Sequence, residues 1–175
     1  MADKRILLAT KYLNLCEIDG WYVAERPQVR LVVGVVAVTA AQELVLVEQF
    51  RIPVQRHVIE LPAGLVGDEI ADEDPAVAAA RELEEETGFR ADHLHHLTTG
   101  PSSAGLTSEQ LALYLATNVV RVGTGGGVDN ERILVHVVPI AGIHAWLDAR
   151  VAAGALLDTK IFAALHFIAH FAKNQ

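Results

Sequence analysis

The sequence predicts an α/β protein built on a mixed sheet with helices over its faces. Three observations carry this. Nearly continuous β-branched runs recur along the chain. A sharply bounded helical segment lies among them, and two further helical patterns close the sequence. Runs that are apolar at every position mark strands buried on both sides, so helices must cover both faces of the sheet.

RLVVGVVAVT at 30–39 and ELVLVEQF at 43–50 read as two such strands separated by a short polar break. HVIELPAG at 57–64 reads as a third, ended by Pro62 and Gly64. EQLALYLATNVV at 109–120 and RILVHVV at 132–138 add two more. The internal helix is bounded by Asp74 as its cap, Pro75 at its first position and Gly88 just past its end. The closing helices are expected at about 142–153 and 158–173. GTGGG at 123–127 reads as a mobile stretch.

One domain is expected over residues 1–175. The net charge of −8 argues against nucleic acid as partner, although a metal ion can reverse the local field for an anionic substrate. Cys16 is the only cysteine, which fits a reducing, cytoplasmic setting. The opening MADKRILLATKYLNL is too interrupted for a signal peptide, and no long apolar run predicts a membrane span.

Within RELEEETGF at 81–89, Glu82, Glu85 and Glu86 stand at i, i+3 and i+4 and share one helical face. Like charges at this spacing each cost about 0.2–0.5 kcal/mol, and acids near a C-terminus oppose the helix dipole. Three convergent carboxylates are hard oxygen ligands suited to Mg²⁺ or Mn²⁺. Upstream, Gly67 and Glu73 complete the spacing G, five residues, E, seven residues, R-E-L-x-E-E-x-G-F. Every fixed position is filled, by Gly67, Glu73, Arg81, Glu82, Leu83, Glu85, Glu86, Gly88 and Phe89.

This stretch, 67–89, resembles the signature of the Nudix hydrolases. The resemblance implies an α/β/α sandwich and metal-dependent cleavage of a nucleoside diphosphate linked to another group. Carried over by position, Glu82, Glu85 and Glu86 bind metal, Arg81 orients them, and Glu73 holds the segment together. VEQFRIPV and VIELPAGLVGDE, within 47–69, are similar to the ADP-ribose and nucleotide-sugar pyrophosphatase branch. That match implies Arg51 on the diphosphate and the Ala63 carbonyl on a metal. Gly64 lies three residues too early to open the signature, so the loop carries an insertion. GPSSAGLTSEQ at 100–110 resembles a substrate loop, with Glu109 facing the substrate and Pro101 closer to the signature than in ADP-ribose-specific members. VDNERILVHVV at 128–138 resembles the segment supplying a further metal ligand, Glu131, and the catalytic base, at Asp129; Glu131, Glu109 or a signature glutamate are alternative bases.

By the same resemblance, residues 1–28 form a β segment shared across a homodimer, with Trp21 or Tyr22 stacking on the base and Arg26 nearby. The implied substrate is a nucleoside diphosphate sugar such as ADP-ribose or GDP-mannose. A nucleoside triphosphate pyrophosphatase and a non-catalytic nucleotide sensor are the alternatives. His93, His95 and His96, and the pair His166 and His170, read as surface or packing residues.

Overall fold

A computed structural model describes residues 3–29, 31–67, 72–127 and 132–171. The chain opens with three strands, β1 (Lys4–Ala9), β2 (Asn14–Ile18) and β3 (Trp21–Glu25), which form their own antiparallel sheet. The tight β2–β3 turn places Asp19 and Gly20 at positive φ, where Gly20 meets no steric penalty.

The main sheet contains β4 (Leu31–Thr39), β5 (Glu43–Arg51), β6 (Arg56–Glu60) and β7 (Ala63–Leu65). After the helix α1 (Pro75–Thr87) come β8 (Phe89–Arg90), β9 (His95–Pro101), β10 (Gln110–Arg121) and β11 (Leu134–Pro139). Helix α2 (Ile143–Ala152), the short β12 (Leu156–Leu157) and helix α3 (Lys160–Phe171) complete the chain. β10 runs parallel to β4 and β12 parallel to β6, while the other pairings are antiparallel, so the sheet is mixed as expected.

Alternation along β4 explains why its sequence is apolar throughout. Val33, Val35 and Ala37 face α1, meeting Ala78, Ala79 and Leu83. Val36 and Val38 face the other way, packing with Ile143 and Leu147 of α2 and Ile161 and Ala164 of α3. The result is the expected α/β/α sandwich, with α1 on one face and α2 and α3 on the other. Among the described residues no helix is long and apolar enough to cross a membrane.

Two expectations need correction. The run 57–64 is not one strand: β6 ends at Glu60, and Ala63–Leu65 turns to pair with β4. Pro62 lies at the break, and its carbonyl accepts a bond from the Val35 N–H at 2.8 Å. The glycine stretch 123–127 is docked rather than loose. The N–H groups of Gly126 and Gly127 donate to the Glu86 and Glu85 carbonyls at 2.9 and 3.1 Å, and that of Gly123 to the Gly88 carbonyl at 3.0 Å. These bonds satisfy carbonyls that the end of α1 leaves without helical partners.

The N-terminal sheet joins the body through β3. The Ala24 N–H donates to the Leu106 carbonyl at 2.8 Å, and Ala24 bridges Thr107. Ile6, Leu8, Tyr12, Leu13, Trp21 and Tyr22 remain exposed on this small sheet and its turns.

Candidate active site

Helix α1 is placed by its ends. The Asp74 carboxylate accepts from the Ala76 N–H at 2.8 Å, Pro75 occupies the first turn, and Gly88 closes the helix at φ 70. This seats Leu83 in the core and turns the glutamates toward β7 and the loop after it.

Arg81 organises that face. Its Nε and Nη2 donate to the two Glu73 oxygens, both at 3.2 Å, while Nη1 donates to Glu82 at 2.9 Å and Glu85 at 3.1 Å. Nη2 also reaches the Leu65 carbonyl at 3.4 Å, tying helix to loop. Hydrogen bonding from Arg81 holds the Glu73 carboxyl below its ordinary value, and the Gly67 N–H adds to the effect. Glu73 in turn holds the Arg81 guanidinium firmly charged.

Glu86 is buried, with 5% of its surface exposed. Its Oε2 accepts from the Ala63 N–H at 2.9 Å and its Oε1 from the Gln49 amide at 3.3 Å. Gly64 lies against Glu82: a Cβ there would stand 1.9 Å from the Glu82 Cδ. The early glycine therefore has a steric reason to be glycine.

A cavity of about 670 Å³ opens between these groups and the rest of the molecule. Glu82, Glu86, Ala63 and Gly64 line one side, and Arg51, Arg26 and Glu109 line it as well. Arg51 donates to Glu60 at 2.6 Å, and Arg26 to Glu109 at 2.8 Å. The Ser102 hydroxyl also donates to Glu109, at 3.0 Å.

The structure thus brings Arg26, Arg51, Ala63, Glu82, Glu86 and Glu109 together around one cavity. Glu85 sits beside them on Arg81. Trp21 and Tyr22 stand elsewhere, 66% and 63% exposed. Trp21 lines a separate hollow of about 400 Å³ with Leu106 and Thr107. Asp129 and Glu131 lie outside the described residues. His95 and His96 pack on Phe171 and Tyr114, and His166 stacks on His170, as surface and packing residues would.

Gln49, Glu60, Ser102 and Lys160 also line the cavity and escaped the sequence reading. Gln49 was reachable, because alternation puts it on the same face of β5 as Arg51. Glu60 depends on strand register and Lys160 on where α3 begins, which no local pattern reveals.

The oxygen-rich set of Glu82, Glu85, Glu86 and the Ala63 carbonyl suits a hard divalent cation. Among the described residues, no three such side chains converge closely enough to hold one. The bonds to Arg81, Ala63 and Gln49 account for this, since they draw the carboxylates in different directions. The donor chemistry fits; the side chains must turn to use it.

Comparison with known proteins agrees with this fold. A solved structure described as an ADP compounds hydrolase superposes with TM-score 0.76 over 100% of this chain and 95% of that one, at 17% identity. The methanol dehydrogenase activator of Bacillus methanolicus is 35% identical over 102 residues, 58% of this chain and 54% of that protein. The ADP-ribose pyrophosphatase of Bacillus subtilis (strain 168) is 40% identical over 84 residues, 48% of this chain and 44% of that protein. The chain spans about half the length of these curated relatives. The NUDIX domain profile matches residues 28–153, which contain the whole signature and most of the cavity wall. The chain belongs to the NUDIX domain family.

Proposed function

We propose that the protein hydrolyses the diphosphate linkage of a nucleoside diphosphate sugar, giving a nucleoside monophosphate and a sugar phosphate. One observation carries this reading: a single cavity of about 670 Å³ is lined both by the signature carboxylates and by Arg51 and Arg26. Such a cavity can hold an anionic diphosphate between a cation-binding side and guanidinium donors. The ADP-ribose pyrophosphatase of Bacillus subtilis supports the choice of substrate class.

In this reading Glu82, Glu85, Glu86 and the Ala63 carbonyl would hold Mg²⁺, and Mn²⁺ would meet the same ligands. A bound divalent ion supplies charge neutralisation for the phosphates and acidifies water. Arg51 leaves Glu60 in part to clamp a phosphate oxygen pair, which its planar fork matches. Glu109, fixed by Arg26 and Ser102, faces the sugar or ribose. Asp129 or Glu131, on the segment after Gly127, takes the proton of the attacking water. One water adds across the P–O–P bridge, so one phosphate gains a hydroxyl oxygen and the other leaves with the bridging oxygen.

The exposed apolar residues of the N-terminal sheet support a homodimer in which that sheet meets a second copy. Trp21 or Tyr22 then stacks on the base of the nucleotide in the neighbouring site. Incubation with Mg²⁺ and a panel of ADP-ribose, GDP-mannose, ADP-glucose and a nucleoside triphosphate tests the reading, with products identified by mass. A nucleoside monophosphate and a sugar phosphate are expected. Cleavage of the triphosphate alone would overturn the substrate class.

A further inference from the structure

Among the described residues, three cations and four carboxylates line the cavity of about 670 Å³, and each of the cations is already paired. Arg51 donates to Glu60 at 2.6 Å and Arg26 to Glu109 at 2.8 Å. The Lys160 ammonium, at the start of α3, pairs with Asp158. Glu82 and Glu86 supply the remaining negative charge of the wall. By themselves these side chains offer a phosphate no uncommitted positive charge, although Arg51 carries the fork that would bind one.

Glu60 is the carboxylate of this set that neither the signature nor the substrate loop accounts for. It ends β6 opposite Val47 of β5, and so stands on the face that carries Gln49 and Arg51. Its side chain is 12% exposed, whereas that of Arg51 is 43% exposed. An ion pair with one partner so open to water adds little to stability. The charge of Glu60 also works against the reading of Arg51 as a diphosphate clamp. An anion approaching Arg51 is repelled by Glu60 and must loosen a charged hydrogen bond before it can bind. A glutamine would fill the same space and accept from the same Nε–H without that repulsion. The negative charge itself therefore needs a reason.

We propose that Glu60 is an internal competitor for the diphosphate at Arg51, and that it makes the cavity refuse anions that arrive without a divalent ion. The inference rests on the hydrolytic reading of this site and extends it to what the site excludes. A divalent ion held at Glu82 and Glu86 reverses the local field, which favours a diphosphate over Glu60 as the partner of Arg51. Inorganic phosphate, pyrophosphate and free nucleotides that come alone meet a guanidinium already occupied. Glu60 thus sets specificity by acting through Arg51.

Calorimetric titration of the full chain with inorganic pyrophosphate, in excess chelator, tests this. Wild type should bind weakly. Glu60→Gln keeps the shape but not the charge, and Glu60→Ala removes the acceptor as well. Each should bind pyrophosphate at least about tenfold more tightly, because a charge-assisted bond no longer has to be given up. Adding Arg51→Gln to either variant should erase the gain. A gain in affinity cannot come from a damaged fold, so the expected result is not open to that explanation. No gain in either variant overturns the proposal. So does a gain that survives Arg51→Gln, which would mark a change in the whole field of the cavity and not a contest for Arg51. The substrate panel scores the hydrolytic reading separately. Turnover by wild type with no gain in the variants refutes the role of Glu60 alone, and a gain without turnover on any nucleotide sugar refutes the hydrolytic reading alone.

Discussion

Replacing Gly64 by alanine separates the role of Glu82 from the stability of the fold. The added Cβ would lie 1.9 Å from the Glu82 Cδ and 2.0 Å from its Oε1. The carboxylate must retreat by about 1.5 Å, the difference between 1.9 Å and the shortest ordinary contact of 3.4 Å. Glu82 is the far end of a flexible side chain, and Gly64 is not left-handed, so the backbone itself is not strained. The stability cost includes the charged hydrogen bond from Arg81, about 1.5–3 kcal/mol. About 0.4–1 kcal/mol is returned by the stiffer unfolded chain. The melting temperature should fall by only a few degrees, since 1 kcal/mol shifts a domain of this size by about 2–4 °C. Turnover should fall far more, because displacing a reacting group by about 1 Å costs about a hundredfold. Measuring kcat against Mg²⁺ concentration beside a thermal melt resolves the two effects. Wild-type turnover with an unchanged Mg²⁺ dependence would refute both the close approach and the ligand role of Glu82.

Glu85→Gln should lower kcat by at least about a hundredfold with little change in melting temperature, and near-normal turnover would remove Glu85 from the ligand set. Gly88→Ala should destabilise by at least about 2 kcal/mol, because alanine at φ 70 is strained and its Cβ would stand 2.3 Å from the Gly123 carbonyl oxygen. A denaturant midpoint shift equivalent to under about 0.5 kcal/mol would show that the 123–127 segment yields freely. Glu73 gives a pH signature. Its folded value lies below the ordinary 4.5, so its stabilisation is present above that value and is lost as pH falls through the folded one. The gap in melting temperature between wild type and Glu73→Gln should therefore be wide at neutral pH and close in acid. A pH-independent gap would exclude ionic pairing with Arg81 as its source.

Features written into short stretches were legible in the sequence. Asp74, Pro75 and Gly88 bound α1 because capping is local chemistry, and the apolar runs of β4 and β5 marked a sheet covered on both faces. What escaped depends on partners distant in sequence. The division of 57–64 follows from Pro62 meeting Val35, and the seating of 123–127 follows from the carbonyls that the end of α1 leaves without helical partners. Arg51 reads as a free phosphate clamp until the fold brings the Glu60 carboxylate within 2.6 Å of its Nε. Gly64 reads as a misplaced signature glycine until Glu82 is found against it.

The acidic face of α1 looks costly in sequence, yet the folded chain offsets most of that cost itself. One guanidinium serves Glu73, Glu82 and Glu85, and two neutral donors serve Glu86. The bonds of Arg81 are unequal in kind. Glu73 is almost fully buried, 1% exposed, and holds Arg81 through two donors, whereas Glu82 and Glu85 share the single Nη1. Rotation of those two carboxylates gives up the shared Nη1 and leaves the buried pair intact. Leaving Glu73 without Arg81 would strand a buried charge, at about 3–5 kcal/mol. Arg81 is therefore anchored on one side and yielding on the other, which lets Glu82 and Glu85 exchange partners while Leu65 and Glu73 stay fastened to the helix.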